Sequence, residues 1–256
     1  MMTSIIDPEL LREAAERLAS VRDRIDRACA HVGRDTSEVT LVGACKRQPA
    51  ERIAASLYAG LRELGANYVQ EARAIKPQLA ALLEEPANGA PPAPARWRMI
   101  GHLQRNKAGQ AVADFDTIDS VDSSRLARAL DQAAEEKGRV LDVCLQANLS
   151  GEASKSGILP DDLSELVATA SSLPHLRAVG LMTMPAPDAD SARRDFARLR
   201  DLRDMLSGEP GGDTLSELNM GMSGDLEIAI EMGATVVRIG TDLFGERPPA
   251  ERNPAG

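Results

Sequence analysis

The chain has 256 residues, with 30 Lys and Arg against 39 Asp and Glu, a formal net charge of −9. Its 43% apolar residues are enough for a sizeable core, while the acidic balance and 2% aromatic content argue against a nucleic-acid partner. No run approaches the roughly 18 apolar residues of a membrane span, and residues 1–10 lack a signal-peptide pattern.

The chain opens with an amphipathic helix expected over about 8–32. Asp7-Pro8 supplies an N-cap followed by proline at the first helical position. Leu11, Ala14, Leu18, Val21, Ile25 and Cys29 then recur at helical spacing, and Gly33 ends the element. Strands are expected at Val39–Cys45, Leu61–Leu64, Trp97–Ile100, Thr117–Val121, Leu141–Asn148, Ala178–Met182, Leu215–Asn219 and Thr235–Ile239. Helical stretches lie between them at about 49–60, 68–83, 104–113, 123–137, 160–172, 189–207 and 223–232. This alternation predicts an α/β fold with a parallel sheet, and the strand count favours a closed (β/α)8 TIM barrel over a doubly wound open sheet. No GxGxxG follows the first strand, so a dinucleotide fold has no support. Residues 1–247 are read as one domain and 248–256 as a Pro-rich disordered tail. Glu84–Ala95 and Gly208–Asp213 are read as loops on the face away from the barrel mouth.

In a barrel, functional groups gather where strands end. Alternation puts Val42, Ala44 and Lys46 on one face, and if that face is inward the Lys46 amine stands at the mouth. Read alone, such a lysine is a surface residue. If the barrel closes, the last strand pairs with the first and brings Arg238 toward Lys46. Two cations there repel unless an anion or an acceptor-rich ligand fills the gap. Small-residue loops follow strands seven (Asn219–Asp225) and eight (Gly240–Gly245), and their backbone N–H groups suit an anion. Singly, each reads as an ordinary turn, with Ser223 a helix cap; together, beside Lys46, they favour a phosphate. A lysine amine next to a phosphate cradle points to a Schiff base with pyridoxal 5′-phosphate.

Several motifs in fixed order carry a resemblance. They are Leu41–Lys46 with Pro49, Gly65–Glu71, Trp97–Lys107, Ser120–Asp122, Asn148–Gly157, Leu181–Pro185, Met220–Asp225 and Arg238–Gly245. Over about residues 8–247 the chain resembles the pyridoxal-phosphate homeostasis proteins, single-domain relatives of the alanine racemase N-terminal barrel (fold type III of pyridoxal-phosphate proteins). The resemblance implies that Lys46 carries the cofactor as a Schiff base and that Arg238 faces the pyridine nitrogen. It also implies Ser223, Gly224, Gly240 and Thr241 around the phosphate, with Asn67 beside the cofactor at the end of strand two. The sequence departs from the family pattern at Cys45 for Ser, Arg47 for Thr and Ala66 for Glu.

An arginine against the pyridine nitrogen keeps it unprotonated and weakens the ring as an electron sink. Related racemases add a tyrosine from a further β domain. Here 11 residues follow Gly245, and the tyrosines are Tyr58 and Tyr68, each expected in a barrel helix. The reading is therefore a non-catalytic protein that buffers and delivers pyridoxal 5′-phosphate, without a C-terminal β domain. An amino-acid racemase or lyase using Lys46 as base is the alternative, and a phosphate-metabolite isomerase without a Schiff base is a third.

Other chemistry has less support. Asp225 stands where a nucleophile elbow around Ser223 needs glycine, and no His follows. His31, His102 and His175 have no metal-ligand spacing, so no metal is expected. Cys29, Cys45 and Cys144 lie outside any CxxC, which fits a reducing cytoplasm, and Cys45 reads as a small buried residue. Lys155 reads as a second amine for cofactor hand-over or as a loop lysine. His102, Gln104, Asn106 and Lys107 read as partner-positioning groups or as caps, and Met182–Met184 as mouth packing. Partners expected are pyridoxal 5′-phosphate, other B6 vitamers and, transiently, apoenzymes that use the cofactor; no nucleic acid or membrane partner is expected. A monomer is expected too.

Overall fold

The computed structural model describes residues 6–84, 90–152, 155–186 and 188–247. The expected tail 248–256 and part of the Glu84–Ala95 connection lie outside them. Helix α1 (Pro8–His31) opens the chain, with Asp7 accepting a hydrogen bond from the Glu9 N–H at 2.9 Å. There follow β1 (Thr40–Ala44), α2 (Ala50–Tyr58), β2 (Glu63–Ala66), α3 (Val69–Leu83), β3 (Arg96–Met99), α4 (Ala108–Asp114), β4 (Thr117–Val121) and α5 (Ser124–Glu136). The chain continues through β5 (Leu141–Ala147), α6 (Leu163–Ser171), β6 (Leu176–Thr183), α7 (Ala189–Ser207), β7 (Glu217–Asn219), α8 (Leu226–Glu231), β8 (Val236–Ile239) and α9 (Thr241–Phe244). The strands form one closed parallel barrel, β1 to β8 in order, sealed where Thr40–Gly43 pair with Val236–Ile239.

Helices cover the outer face and side chains fill the interior, so β4 is buried at every position. Glycine fixes which face is which in β1. A Cβ on Gly43 would stand 2.7–3.1 Å from Leu61, Phe244 and Leu243, the outer layer. Val42, Ala44 and, by alternation, Lys46 therefore face the barrel axis. Helix α1 is additional to the repeating units. It buries Ala14, Leu18, Val21, Ile25, Ala28 and Cys29 and packs across α2, α8 and α9. Each of its larger apolar side chains contributes about 1.5–3 kcal/mol through burial.

The second strand is shifted by two residues from its expected frame. Leu61 N–H instead closes the turn out of α2 on the Ser56 carbonyl at 2.9 Å, and Val42 pairs with Glu63. The shift puts Asn67 immediately past the strand, at the mouth. Two expected helices begin with a tighter 3-10 turn, at Arg105–Lys107 and Pro160–Asp162. The helix expected from 223 starts at Leu226, because the Met222 N–H bonds Asp225 Oδ1 at 2.5 Å and holds 222–225 as a turn. Asp225, not Ser223, occupies the N-cap of α8.

Close packing also fixes neighbouring mouth loops. A Cβ on Gly101 would lie 2.3 Å from the Asn67 carbonyl oxygen. The Gly101→Ala variant is expected to lose about 1–3 kcal/mol, read as a lower urea midpoint; an unchanged midpoint would contradict this packing.

Candidate functional site

Lys46 stands two residues beyond β1, half-buried, with its Nζ 5.7 Å from the centroid of the Tyr68 ring. The chain turns sharply at once. Arg47 has φ 54°, the one non-glycine positive φ among the described residues, and the Gln48 N–H bonds the Cys45 carbonyl at 3.0 Å. The Cys45 N–H bonds the Gly65 carbonyl at 2.9 Å, which continues the β1–β2 ladder and brings Lys46 level with Asn67. On the other flank, a Cβ on Gly240 would be 3.3 Å from the Ala44 carbonyl oxygen, so the β8–α9 loop runs beside Lys46.

Arg238 lies deeper, 3% exposed and in register with Val42. Its Nη1 donates to the Asn219 carbonyl at 2.9 Å and to Asn219 Oδ1. Its Nη2 donates to the Thr183 carbonyl at 3.0 Å and contacts Met184 Sδ at 3.2 Å. Its Nε takes part in no hydrogen bond among the described residues, and Asn219 Nδ2 is buried without a partner. Burial pulls the Arg238 guanidinium down to about 10, with the Asp119 carboxylate working in the opposite direction. It remains a cation at neutral pH.

The barrel interior supplies the compensating charge. Arg98 Nε donates to Asp119 Oδ2 at 2.9 Å, and its Nη2 to Asp119 Oδ1 at 2.8 Å and Glu217 Oε2 at 2.5 Å. Glu63 Oε2 accepts from Nη1 at 3.3 Å. Burial opposes the Arg98 charge, but Asp119 and Glu217 more than offset it and hold the group above its ordinary value. Asp119, Cys144 and Glu217 present ligand atoms within 4.8 Å of one another, and the Arg98 guanidinium reaches all three.

The two small-residue loops lie side by side. The backbone N–H groups of Ser223, Gly224, Thr241 and Asp242 donate to no protein acceptor among the described residues. One guanidinium, Arg24 of α1, touches both loops. It bonds the Ser223 carbonyl at 2.9 Å, Glu227 at 2.7 and 3.0 Å, and Asp242 at 2.6 Å. Asn67 lines an adjoining cleft of about 410 Å³ with Tyr68, Met99, His102 and Lys107.

All seven sequence-predicted residues therefore lie at one end of the barrel: Lys46, Asn67, Gly240 and Thr241 on adjacent strand ends, Ser223 and Gly224 on the next loop, and Arg238 beneath. Lys155 lies between the β5 and β6 loops, with its amine 3.0 Å from Glu152 and 3.4 Å from the Pro185 carbonyl. His102 Nδ1 is 3.3 Å from Asp122. Sequence reasoning missed Asn219, Arg24 and the Arg98–Asp119–Glu217 cluster. The alternation Glu217, Asn219 was visible, but which face it turned inward was not.

Residues 17–248 match the family model for the N-terminal domain of alanine racemase. A pyridoxal phosphate homeostasis protein of Pseudomonas aeruginosa is 44% identical over 235 residues, 91% of this chain and 95% of that one. The chain belongs to the pyridoxal phosphate homeostasis protein family. The Escherichia coli (strain K12) member is 39% identical over 241 residues, 93% of this chain and 98% of that one. PipY of Synechococcus elongatus, solved with PLP bound, superposes with a TM-score of 0.77 at 36% identity, covering 91% of this chain and all of that one (100%). Alanine racemase of Clostridium difficile, at 15% identity and a TM-score of 0.66, shares the fold; this chain spans 58% of it.

Two outcomes test this site. Asp119→Asn leaves Arg98 short of its principal partner and is expected to cost about 3 kcal/mol, read by chemical denaturation; no loss would refute the buried pairing. Burial pushes Cys45 up to about 12 and raises Cys29 and Cys144 as well. At pH 8 only about one Cys45 in ten thousand is thiolate, so a thiol-specific disulfide reagent should find no fast-reacting group until the protein unfolds. A rapidly labelled Cys45 would overturn that.

Proposed function

We propose that this protein binds pyridoxal 5′-phosphate at the barrel mouth, held by Lys46, and buffers and delivers it in the cytoplasm without robust catalysis of its own. The observation that carries the reading is the seam where β1 meets β8. It sets Lys46 beside the β8–α9 loop and above a buried arginine, where, among the described residues, the N–H groups of Ser223, Gly224, Thr241 and Asp242 meet no protein acceptor and Arg238 Nε makes no hydrogen bond. These groups fit the cofactor. The Lys46 amine would hold the aldehyde, with loss of one water, and the N–H groups of Ser223, Gly224, Thr241 and Asp242, unpaired among the described residues, would suit a phosphate dianion. Among the described residues Arg238 Nε and Asn219 Nδ2 are donors with no acceptor, and Asn67 flanks the lysine.

When bound, the cofactor supplies an electrophilic aldehyde and a ring able to withdraw electrons. Arg238 limits the second property. Lowered to about 10 and still charged at neutral pH, its guanidinium can only donate, so a ring nitrogen held against it would stay unprotonated. A carrier needs the first property and not the second. The homeostasis names of the relatives support the same role, with apoenzymes as transient recipients and other B6 vitamers as further ligands.

One observation favours the alternative of a racemase or lyase. Tyr58 donates to the Leu83 carbonyl in the outer layer, but the Tyr68 ring sits under the Lys46 amine and offers a second acid/base.

Borohydride reduction after loading with pyridoxal 5′-phosphate is expected to leave one pyridoxyl group, on the Lys46 peptide, and Lys46→Ala should abolish it. Label elsewhere, or none, would overturn the binding reading. Incubation with D- and L-amino acids in deuterated water should give no exchange at enzymatic rates. Fast exchange lost in Lys46→Ala would establish the racemase or lyase instead.

A further inference from the structure

Arg24 lies outside the barrel, on the helix that precedes it, yet it reaches both mouth loops. Its side chain is 24% exposed and fully engaged: Nε and Nη2 grip Glu227 as a fork, Nη1 takes Asp242, and Nη2 also takes the Ser223 carbonyl. These partners lie in segments that follow different strands, β7 and β8, so a single planar group fixes the spacing between them. We infer that Arg24 is a positioning residue that makes the site selective for the phosphorylated form of the cofactor, which rests on the cofactor reading above.

Two consequences of the geometry support this. In a trans peptide the carbonyl and the following N–H point in opposite directions, and no cis bond occurs among the described residues. Arg24 draws the Ser223 carbonyl outward, toward α1, which turns the Gly224 N–H toward the barrel mouth. The second consequence is electrostatic. Glu227 and Asp242 stand in the first turns after the two loops, where free carboxylates would repel a phosphate dianion. Arg24 pairs with both and cancels one of their two charges. Its hydrogen bonds hold Glu227 below the usual carboxylate range, so the pair persists as ions. Removing the guanidinium would thus misalign a donor and uncover two like charges, and both effects fall on the phosphate. Lys46 and Arg238, which would hold the aldehyde and ring, make no contact with Arg24.

The measurement is the affinity of wild type and Arg24→Gln for pyridoxal 5′-phosphate and for unphosphorylated pyridoxal, each followed by Schiff-base absorbance. Arg24→Gln is expected to weaken the phosphorylated form at least tenfold and pyridoxal less than twofold. Arg24→Lys, which keeps the charge but loses the fork, should fall between and covers the case in which Arg24→Gln does not fold. In the Arg24→Gln background, adding Glu227→Gln and Asp242→Asn should recover part of the loss. Equal weakening of both ligands would mark Arg24 as merely structural, and an unchanged ratio would also overturn the inference. Wild type forming no Schiff base would instead sink the cofactor reading on which it rests.

Discussion

The parallel pairing of β1 with β8 is the constraint on which the site depends. It joins segments almost two hundred residues apart, Thr40–Gly43 with Val236–Ile239, and so closes the barrel. Closure removes the sheet's exposed edges, and it sets the Lys46 turn against the Gly240–Thr241 loop. Without that seam the lysine and the β8–α9 loop would belong to opposite edges of a sheet. Gly43 and Gly240 mark the seam's tightness, one leaving room for Leu61 and Phe244 outside, the other passing close to the Ala44 backbone.

Inside the barrel the problem is charge. Two guanidinium groups, Arg98 and Arg238, are withdrawn almost wholly from water, and each isolated charge would carry a desolvation penalty of several kcal/mol. The lower one is matched by Asp119, Glu217 and Glu63. The upper one has carbonyl and amide oxygens around it and only the more distant field of Asp119 and Asp225, which is why burial prevails there and is overcome at the other. Among the described residues, the asymmetry leaves the upper guanidinium with an unused donor, next to an orphaned amide nitrogen. Unsatisfied donors are rare in interiors, and they concentrate where a ligand completes the set.

The outer layer contributes as well. Helix α1 is held by ordinary apolar burial, but Arg24 on it and Arg34 in the turn just beyond it also hold the neighbouring α8 and α9 region in place. Arg24 ties the Ser223 loop to α9, and Arg34 satisfies the Ile230 and Ala234 carbonyls that end α8. The additional helix thereby stiffens the β7–α8 and β8–α9 connections.

Much of this was legible in the chain itself. Alternation placed Val42, Ala44 and Lys46 on one face, Asp7-Pro8 announced α1, and small residues after strands seven and eight marked the loops. Those signals are local: strand and helix periods, caps and glycine positions act within a few residues. The two-residue shift of β2 was not legible, because Leu61 is as apolar as a strand residue and only its fit under Gly43 decides that it belongs to the turn. Nor could the sequence reveal Arg24 with Glu227 and Asp242, 203 and 218 residues away, or Asn219 as the partner of Arg238. The sequence determined a (β/α)8 barrel with Lys46 at the end of its first strand, since periodicity and motif are written along the chain. The tertiary structure alone decided which charges meet, since that follows from closure and from which face of each strand turns inward.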